Sequence, residues 1–180
     1  MARSLMVTGG AGFIGVNFVY HWAEAHPDDT VVVLDALTYA GNRLSLGPLE
    51  QAGRIHFAEG DICDADLIAR VMADHDTDTI VHFAAESHVD RSITGPDAFI
   101  RTNLEGTHTL LAAARSAWLS GSGREHRFHH VSTDEVYGSL APEDPAFTET
   151  TRYEPNSPYS ASKAGSDHLV RAYQHTYGLQ

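Results

Sequence analysis

The sequence predicts an α/β protein built on a doubly wound parallel sheet, with helices on both faces. Short runs rich in β-branched residues alternate with longer helical patterns along the chain, which is typical of βαβ units. A glycine-rich turn follows the first run directly, as expected where a strand passes through a tight turn into a helix. A length of 180 residues with 42% hydrophobic content suits one compact domain with a sizeable core.

The elements follow in order along the chain. Predicted strands are the runs "SLMVT", "TVVVLD", "RIHFAEGD", "TIVHFAA" and "RFHHVST", and the clearest helical patterns between them are 64–75 and 97–119. The stretch 138–158 carries four prolines and no periodicity, which indicates a functional loop. Helical spacing returns over 159–176. In a doubly wound sheet that helix leads into another strand, so we expect a fold that is cut before its last strands.

The charge balance excludes several classes of partner. Twenty-four acidic against 12 basic residues give a net charge of −12, and no basic stripe is present, so nucleic acid is not expected as a partner. No apolar run approaches the ~20 residues that cross a bilayer, so no membrane partner is expected. The N-terminus lacks a secretory pattern, and a single cysteine, Cys63, excludes internal disulfides. We therefore expect a cytoplasmic protein.

Two further kinds of site are not expected. The 12 histidines include His82, His129 and His130 within predicted strands, but no zinc-binding spacing occurs, so no metal site is predicted. The segment "GSGR" at 121–124 is predicted to be a plain loop rather than a nucleophile elbow.

The motif "TGGAGFIG", residues 8–15, predicts a dinucleotide site. Gly10, Gly12 and Gly15 satisfy G-x-G-x-x-G, where glycine permits a tight turn and close approach of a pyrophosphate to the amides of the following helix. Asp35 ends the second strand, 20 residues after Gly15, where a carboxylate can accept both ribose hydroxyls and repel a 2′-phosphate. NAD is therefore favoured over NADP, although Asp35 can also be read as a simple strand cap.

A tyrosine and the only lysine of the chain form a second motif. Tyr159 and Lys163 are four residues apart in "SPYSASKA", so on a helix they share a face. An ammonium beside a phenol stabilises the phenolate, so we expect Lys163 to lower the pKa of Tyr159 and make it a general base. The alternative is a solvated helix pair. A phosphate-binding P-loop is excluded, because Lys163 lies between Ser162 and Ala164.

Together with these motifs, the segments "DALTYAGN", "GDICD", "FAAESHVDRSI", "STDEVYG" and "SPYSASKAGSDHLVRAY" resemble the extended short-chain dehydrogenase/reductases, and among them the nucleotide-sugar 4,6-dehydratases. The resemblance covers essentially all 180 residues. It implies that residues 1–180 form a Rossmann-like NAD-binding domain carrying the catalytic residues, without the small C-terminal substrate domain. The implied reaction is dehydration of dTDP-glucose to its 4-keto-6-deoxy product, by internal hydride transfer through bound NAD.

The resemblance also assigns roles to residues. Thr133 would bind the sugar, Asp134 would act as acid and Glu135 as base, beside Tyr159 and Lys163. Ser87 and Thr133 would contact the substrate. The residues implied to bind the cofactor are Gly9, Gly10, Gly12, Phe13, Ile14, Gly15, Asp35, Thr38, Asp61, Ile62, Ala84, Ala85, Ser87, Thr102, Tyr159 and Lys163.

Chemistry explains why two adjacent carboxylates follow the fifth strand. Oxidation at carbon 4 acidifies the proton at carbon 5, and elimination of the 6-hydroxyl then needs one group to remove that proton and another to protonate the departing oxygen. The alternative is a purely structural role, in which Asp134 and Glu135 cap the following loop.

Two alternative functions are weighed against the dehydratase, and a homodimer is expected. An epimerase or decarboxylase of the same superfamily is disfavoured by the acid pair, and a non-catalytic NAD-binding module by Tyr159 with Lys163. By resemblance, the complete protein is expected to be a homodimer that pairs through 97–119 and 157–176, with a nucleotide sugar as its substrate.

Overall fold

A computed structural model of the chain describes residues 2–120 and 125–180, so the loop expected at 121–124 lies outside the described residues. Its centre is a parallel sheet of five strands in the order β3-β2-β1-β4-β5, which confirms the predicted fold class. The strands are β1 (Ser4–Thr8), β2 (Thr30–Asp35), β3 (His56–Glu59), β4 (Thr79–His82) and β5 (Arg127–His130). The helices are α1 (Phe13–Ala25), α2 (Gly47–Gln51), α3 (Ala65–Asp74), α4 (Val89–Thr94), α5 (Asp97–Phe99), α6 (Thr107–Leu119) and α7 (Pro158–Tyr177).

Alternation along the strands sends side chains to two separate cores. In β1, Leu5 and Val7 pack on one face of the sheet with Val19 of α1. Met6 packs on the other face with Ile68 of α3 and Leu110 of α6. Because strand side chains alternate with a period of two, a parallel sheet covered on both faces needs apolar residues at every position. That requirement explains the unbroken apolar runs of the sequence.

The helical stretch 97–119 contains an irregularity. Between α5 and α6 the chain forms a π-helix, Ile100–Gly106. Wider turns of this kind are rare and occur frequently at functional sites. Asn103 in this segment is buried, with 2% of its surface exposed.

Helix α7 begins and ends where its sequence requires. Ser157 and Ser160 exchange hydrogen bonds in a capping box, and Pro158 occupies the first turn, where a missing amide hydrogen costs nothing. Gly178 ends the helix in the left-handed region at φ 76°, which favours glycine. The prediction of a helix over 159–176 is therefore confirmed.

Some local elements differ from the sequence-based expectation. A 3₁₀ turn, Arg43–Leu46, leads into α2, and α4 occupies a stretch for which no helix was expected. Strands β3, β4 and β5 are shorter than the sequence runs that predict them. Each strand stops two to three residues before the end of its run, where the chain leaves the sheet and forms a loop. The loop predicted at 138–158 has no helix or strand over 138–157, whereas Pro158 already begins α7. None of the described helices combines the length and apolar character needed to span a bilayer.

Candidate active site

A cleft of about 650 Å³ opens at the carboxyl ends of the strands. It lies where the chain order reverses between β1 and β4, the position at which open α/β sheets bind ligands. All the predicted cofactor residues except Gly10 line it, and they are Gly9, Gly12, Phe13, Ile14, Gly15, Asp35, Thr38, Asp61, Ile62, Ala84, Ala85, Ser87, Thr102, Tyr159 and Lys163. The structure therefore brings together residues that are far apart in the sequence.

The glycine turn is shaped by close backbone contacts. Gly9 has a φ of +69°, and a Cβ there would lie 2.6 Å from the amide nitrogen of Ala84. A Cβ on Gly15 would lie 2.2 Å from the carbonyl oxygen of Gly9, so neither position accepts a side chain. A Cβ on Gly10 would instead meet Val33 at 2.7 Å, which places Gly10 against the sheet and explains its absence from the cleft wall.

The N-terminus of α1 suits an anionic ligand. Gly12 precedes the helix and no side chain caps it, so the amides of the first turn are available to an anion such as a pyrophosphate. Phe13 is 87% exposed at the cleft, where its backbone is accessible. The turn and the helix N-terminus together form a cradle for phosphate groups.

Asp35 lies at the end of β2, beside the glycine turn. Its Oδ2 accepts a hydrogen bond from the Ala11 amide at 2.9 Å, and its Oδ1 accepts from the Leu37 amide at 2.8 Å. The structural role left open by the sequence is therefore present, since the carboxylate fastens the glycine turn to the end of β2. Each carboxylate oxygen has a second lone pair, so the same group can also accept from ribose hydroxyls.

The far end of the cleft is polar on one side and apolar on the other. Asp61 accepts from the Cys63 amide at 2.9 Å and pairs with Arg101 at 2.8 Å. Burial acts to raise the pKa of Asp61, but these donors outweigh it, so that the pKa is lowered and the group is ionised. Ile62 is 4% exposed and supplies apolar wall. Arg101 also lines the cleft and was not identified from the sequence.

Lys163 and Tyr159 lie on one face of α7, as predicted, but their electrostatics differ from the expectation. The Lys163 ammonium donates to the carbonyl oxygen of Val131 at 2.7 Å, and burial lowers the pKa of Lys163 to about 8. The expected lowering of the Tyr159 pKa is wrong for this geometry. Burial raises the pKa of Tyr159, a hydrogen bond with Thr133 partly offsets the rise, and nearby carboxylates add to it.

The acid pair lies on a short turn beside Tyr159. Thr133 has extended backbone and caps the 3₁₀ turn Asp134–Tyr137, its Oγ1 accepting from the Glu135 amide at 3.3 Å. The charges of Glu135 and Asp134 both raise the pKa of Tyr159, so the carboxylates lie within electrostatic reach of the phenol. Among the described residues neither carboxylate accepts from a backbone amide, so Thr133, rather than the acids, does the capping.

A buried asparagine holds the cleft wall to α7 and was missed in the sequence. The Oδ1 of Asn103 accepts from the Glu86 amide at 2.9 Å, and its Nδ2 donates to the Glu86 carbonyl at 2.9 Å and to Ser162 Oγ at 2.8 Å. The π-helix turns this side chain inward. No sequence signal marks a π-helix, so the role of Asn103 was not predictable.

Two walls of the cleft are linked by side chains. Tyr39, from the loop after β2, donates its hydroxyl to Glu86 Oε2 at 3.2 Å. The Arg91 guanidinium of α4 lies 4.0 Å from the centre of the Tyr39 ring. We call these three residues the strap, because they join the segments after β2 and β4, whose neighbouring positions Thr38 and Ser87 both line the cleft.

The histidines of the strands serve structural roles. His82 is fully buried, with its two ring nitrogens 2.7 Å from Thr8 Oγ1 and 3.0 Å from Thr107 Oγ1. Burial lowers its pKa well below the usual range, so the ring is neutral. Within the described residues, no cluster of three His, Cys, Asp or Glu side chains is placed to hold a metal ion.

Comparison with known proteins assigns this arrangement to a family. The family model described as GDP-mannose 4,6 dehydratase matches residues 6–180. dTDP-glucose 4,6-dehydratase 1 of Escherichia coli K12 is 56% identical over 186 aligned positions, covering 97% of this chain and 51% of the relative. The chain thus spans about half the length of the curated relatives it matches.

Solved structures agree with the sequence comparison. The crystal structure of DesIV, a dTDP-glucose 4,6-dehydratase of Streptomyces venezuelae with NAD bound, superposes with a TM-score of 0.88 at 55% identity, covering 98% of this chain and 53% of that one. A UDP-Glc/GlcNAc 4-epimerase of Campylobacter jejuni superposes with a TM-score of 0.86 at 26% identity, covering 98% and 50%. The fold is therefore shared with epimerases, whereas the sequence is much closer to the dehydratases.

Proposed function

The chain belongs to the GDP-mannose 4,6 dehydratase family, and on that premise we propose that it is the NAD-binding and proton-transferring part of a 4,6-dehydratase acting on dTDP-glucose. One observation carries the proposal. Tyr159, Lys163 and the segment from Thr133 to Glu135 meet beside a cleft whose opposite end has the features of a dinucleotide site. The DesIV structure, which has NAD bound, supports the choice of cofactor.

The residues of the cleft fit NAD. The turn at Gly9 and Gly15 has no room for side chains, and the amides that begin α1 can bind the pyrophosphate. Asp35 is positioned to accept from the adenosine ribose and to repel a 2′-phosphate. Lys163 lines the cleft and can donate to the second ribose.

The residues beside the cleft can move the protons that the reaction requires. Bound NAD supplies the hydride acceptor for carbon 4 of the sugar and the hydride donor for carbon 6. Tyr159 accepts the proton of the 4-hydroxyl, with the Thr133 hydroxyl stabilising the phenolate. Glu135 then removes the proton at carbon 5, and Asp134 protonates the departing 6-hydroxyl.

The raised pKa of Tyr159 has to be lowered before the phenol can act as a base, and we assign that role to Lys163. Because burial raises the pKa of Tyr159, the phenol needs a nearby cation to act as a base near neutral pH. The Lys163 ammonium lies one helical turn away and is tied to Val131. We infer that a bound cofactor and substrate complete the geometry in which this charge acts on the phenol.

The acid pair favours dehydration over epimerisation. A 4-epimerase needs hydride transfer and one proton carrier, but no elimination. Two carboxylates close to Tyr159 supply the additional proton transfers that loss of the 6-hydroxyl requires. The lower identity to the epimerase, 26% against 55% for DesIV, points the same way.

Cofactor selectivity tests the proposal in the chain itself. Titration calorimetry with NAD and NADP is expected to show at least about tenfold tighter binding of NAD, because the Asp35 carboxylate repels a 2′-phosphate. Asp35→Asn should reduce this preference by weakening NAD and by relaxing the rejection of NADP, whereas Asp28→Asn, a matched change at an exposed turn, should leave it unchanged. Equal affinity of the unmutated chain for both cofactors would contradict the proposal.

A further inference from the structure

A buried carboxylate that the proposed chemistry does not use lies directly behind the site. Asp167 is on α7, one turn beyond Lys163, and its side chain is 12% exposed. Its Oδ2 accepts from Ser132 Oγ at 2.6 Å and from the Tyr153 hydroxyl at 2.9 Å. Its Oδ1 lies 3.1 Å from His130 Nε2, at ion-pair distance but without hydrogen-bond alignment. Asp167 therefore joins α7, the end of β5 and the loop at 138–157.

The contacts of Asp167 keep it ionised. Burial acts to raise its pKa, but the interactions with His130, Ser132 and Tyr153 outweigh burial and the pKa is lowered. Burial, together with the bond to Asp167, raises the pKa of Tyr153 to about 12, so its hydroxyl keeps its proton and stays a donor. The cluster thus holds one fixed negative charge near neutral pH.

That charge acts on Lys163. Burial lowers the pKa of Lys163, and Asp167 is the group that opposes this effect. The ammonium also interacts electrostatically with His82 and His130, and Tyr159 lies one turn before it on α7. Burial lowers the pKa of each histidine and raises that of Tyr159, so these three groups are neutral near neutral pH. Among the described residues, Asp167 is therefore the charge that favours the ammonium form.

Asp167 also fixes the position of the acid pair. Ser132, which it holds, is followed directly by Thr133, Asp134 and Glu135 in the chain. Tyr153, the second donor, packs edge-on against Tyr137 at the end of the 3₁₀ turn, with ring centres 5.3 Å apart. Both sides of the turn that carries the acids are thus anchored to the helix that carries Tyr159 and Lys163.

We propose that Asp167 is a positioning residue that keeps Lys163 protonated and holds the acid-bearing turn against α7. The inference deepens the proposed function and rests on it for its catalytic meaning. The contacts themselves can be tested without cofactor or substrate.

The single lysine of the chain makes a direct test possible. In protein grown with lysine labelled with ¹³C at the ε carbon, Lys163 gives the only lysine signal, and its chemical shift reports its protonation as pH is varied. The unmutated chain should titrate with a midpoint of about 8. Asp167→Asn, which keeps the shape, should lower that midpoint by about one unit, since the opposite charge that raises the pKa of Lys163 has been removed. Asp167→Glu should keep the midpoint close to that of the unmutated chain, and Asp28→Asn should leave the midpoint unchanged.

The alternative outcomes are distinct. A purely structural Asp167 would give an unchanged midpoint in folded Asp167→Asn, and that result would overturn the inference. If circular dichroism shows that Asp167→Asn does not fold, Asp167→Ser, which leaves room for water, serves in the same titration with the same expected fall. Failure of the unmutated chain to bind NAD would contradict the proposed function, yet it would leave the lysine titration intact.

Discussion

At the scale of single residues, the roles of Glu135 and Asp134 can be separated. Glu135→Gln keeps size and hydrogen bonding but removes the carboxylate proposed as the base, so in the complete enzyme exchange of the carbon 5 proton with deuterated solvent should fall ~10² to 10⁴-fold. Oxidation at carbon 4 should survive. Asp134→Asn should instead leave carbon 5 exchange largely intact and slow loss of the 6-hydroxyl, so that the 4-keto sugar accumulates. Mass spectrometry of the sugar after reaction in D₂O measures both steps.

Glu154 offers a matched control for this pair. It is exposed on the loop that packs against the same turn, with its amide bonded to the Val136 carbonyl at 2.9 Å. Glu154→Gln should affect neither step. If both acid variants lost carbon 4 oxidation equally, the carboxylates would be structural.

Lys163 should impose a pH dependence on stability. Its pKa is about 8 in the folded chain and about 10.4 when unfolded, so between these values the unfolded chain binds the extra proton. Stability contributed through this group therefore rises as pH increases from about 8 to about 10. Lys163→Met should be more stable than the unmutated chain at pH 7.5, with the difference shrinking toward pH 10, as measured by urea unfolding.

The comparison between variants is essential, because another group acts in the opposite direction. Burial raises the pKa of Cys63 to about 11, so the folded chain retains that proton longer and loses stability as pH rises above about 8.5. Cys63 is common to both proteins and cancels in the difference. A difference that stays constant with pH would show that Lys163 titrates normally.

At the scale of elements, the strap links the loops after β2 and β4. Tyr39→Phe removes the bond to Glu86 and keeps the ring beneath Arg91, so it should accelerate NAD release by about threefold to tenfold, as for loss of one exposed hydrogen bond worth about 1 kcal/mol. Stopped-flow displacement of a fluorescent NAD analogue measures the rate. Tyr20→Phe, which removes an exposed hydroxyl bonded to the Ser45 carbonyl, is the matched control. Equal release rates in both variants would exclude a retaining role for the strap.

Sequence motifs predicted the features that depend on residues close together in the chain. Glycine at position 9 is required by a tight turn, and the four-residue spacing of Tyr159 and Lys163 places them on one helix face. Periodicity did not reveal that Lys163 would bond to Val131, nor that burial would raise the pKa of Tyr159. Both depend on how β5 meets α7. Asp167 was missed for the same reason, since its partners come from two other segments, the end of β5 with His130 and Ser132 and the loop with Tyr153.

At the scale of the whole molecule, the outer faces of α6 and α7 are the proposed dimer contact. Arg115 of α6 lies 3.8 Å from the ring centre of Tyr177 on α7, beside a shallow hollow that includes Ala112. Ala112 is exposed, so Ala112→Glu should abolish dimers without disturbing the core. Ala69→Glu, at an exposed position of α3, should not. Sedimentation velocity of the complete protein distinguishes these outcomes, and a monomer without either substitution would contradict the proposal.

The span of the chain leads to a further expectation about turnover. The described cleft holds the residues proposed to bind a dinucleotide, beside those proposed to transfer protons, while the chain covers about half the length of its relatives. Binding energy from the nucleotide of a sugar substrate is what positions the reacting carbons, so catalysis depends on contacts remote from Glu135 and Tyr159. We therefore expect the 180-residue chain to bind NAD but to convert dTDP-glucose at least ~10³-fold more slowly than the Escherichia coli relative.

Two measurements on the same preparation check this expectation. Calorimetry establishes that the cleft binds NAD, and chromatography of the sugar nucleotide after incubation measures turnover under conditions in which the Escherichia coli relative is active. If the chain binds NAD but does not convert the sugar, its dinucleotide site is intact. The slow turnover would then be explained by the lack of contacts to the nucleotide of the substrate. Turnover at the rate of that relative would show that the described cleft positions the sugar by itself.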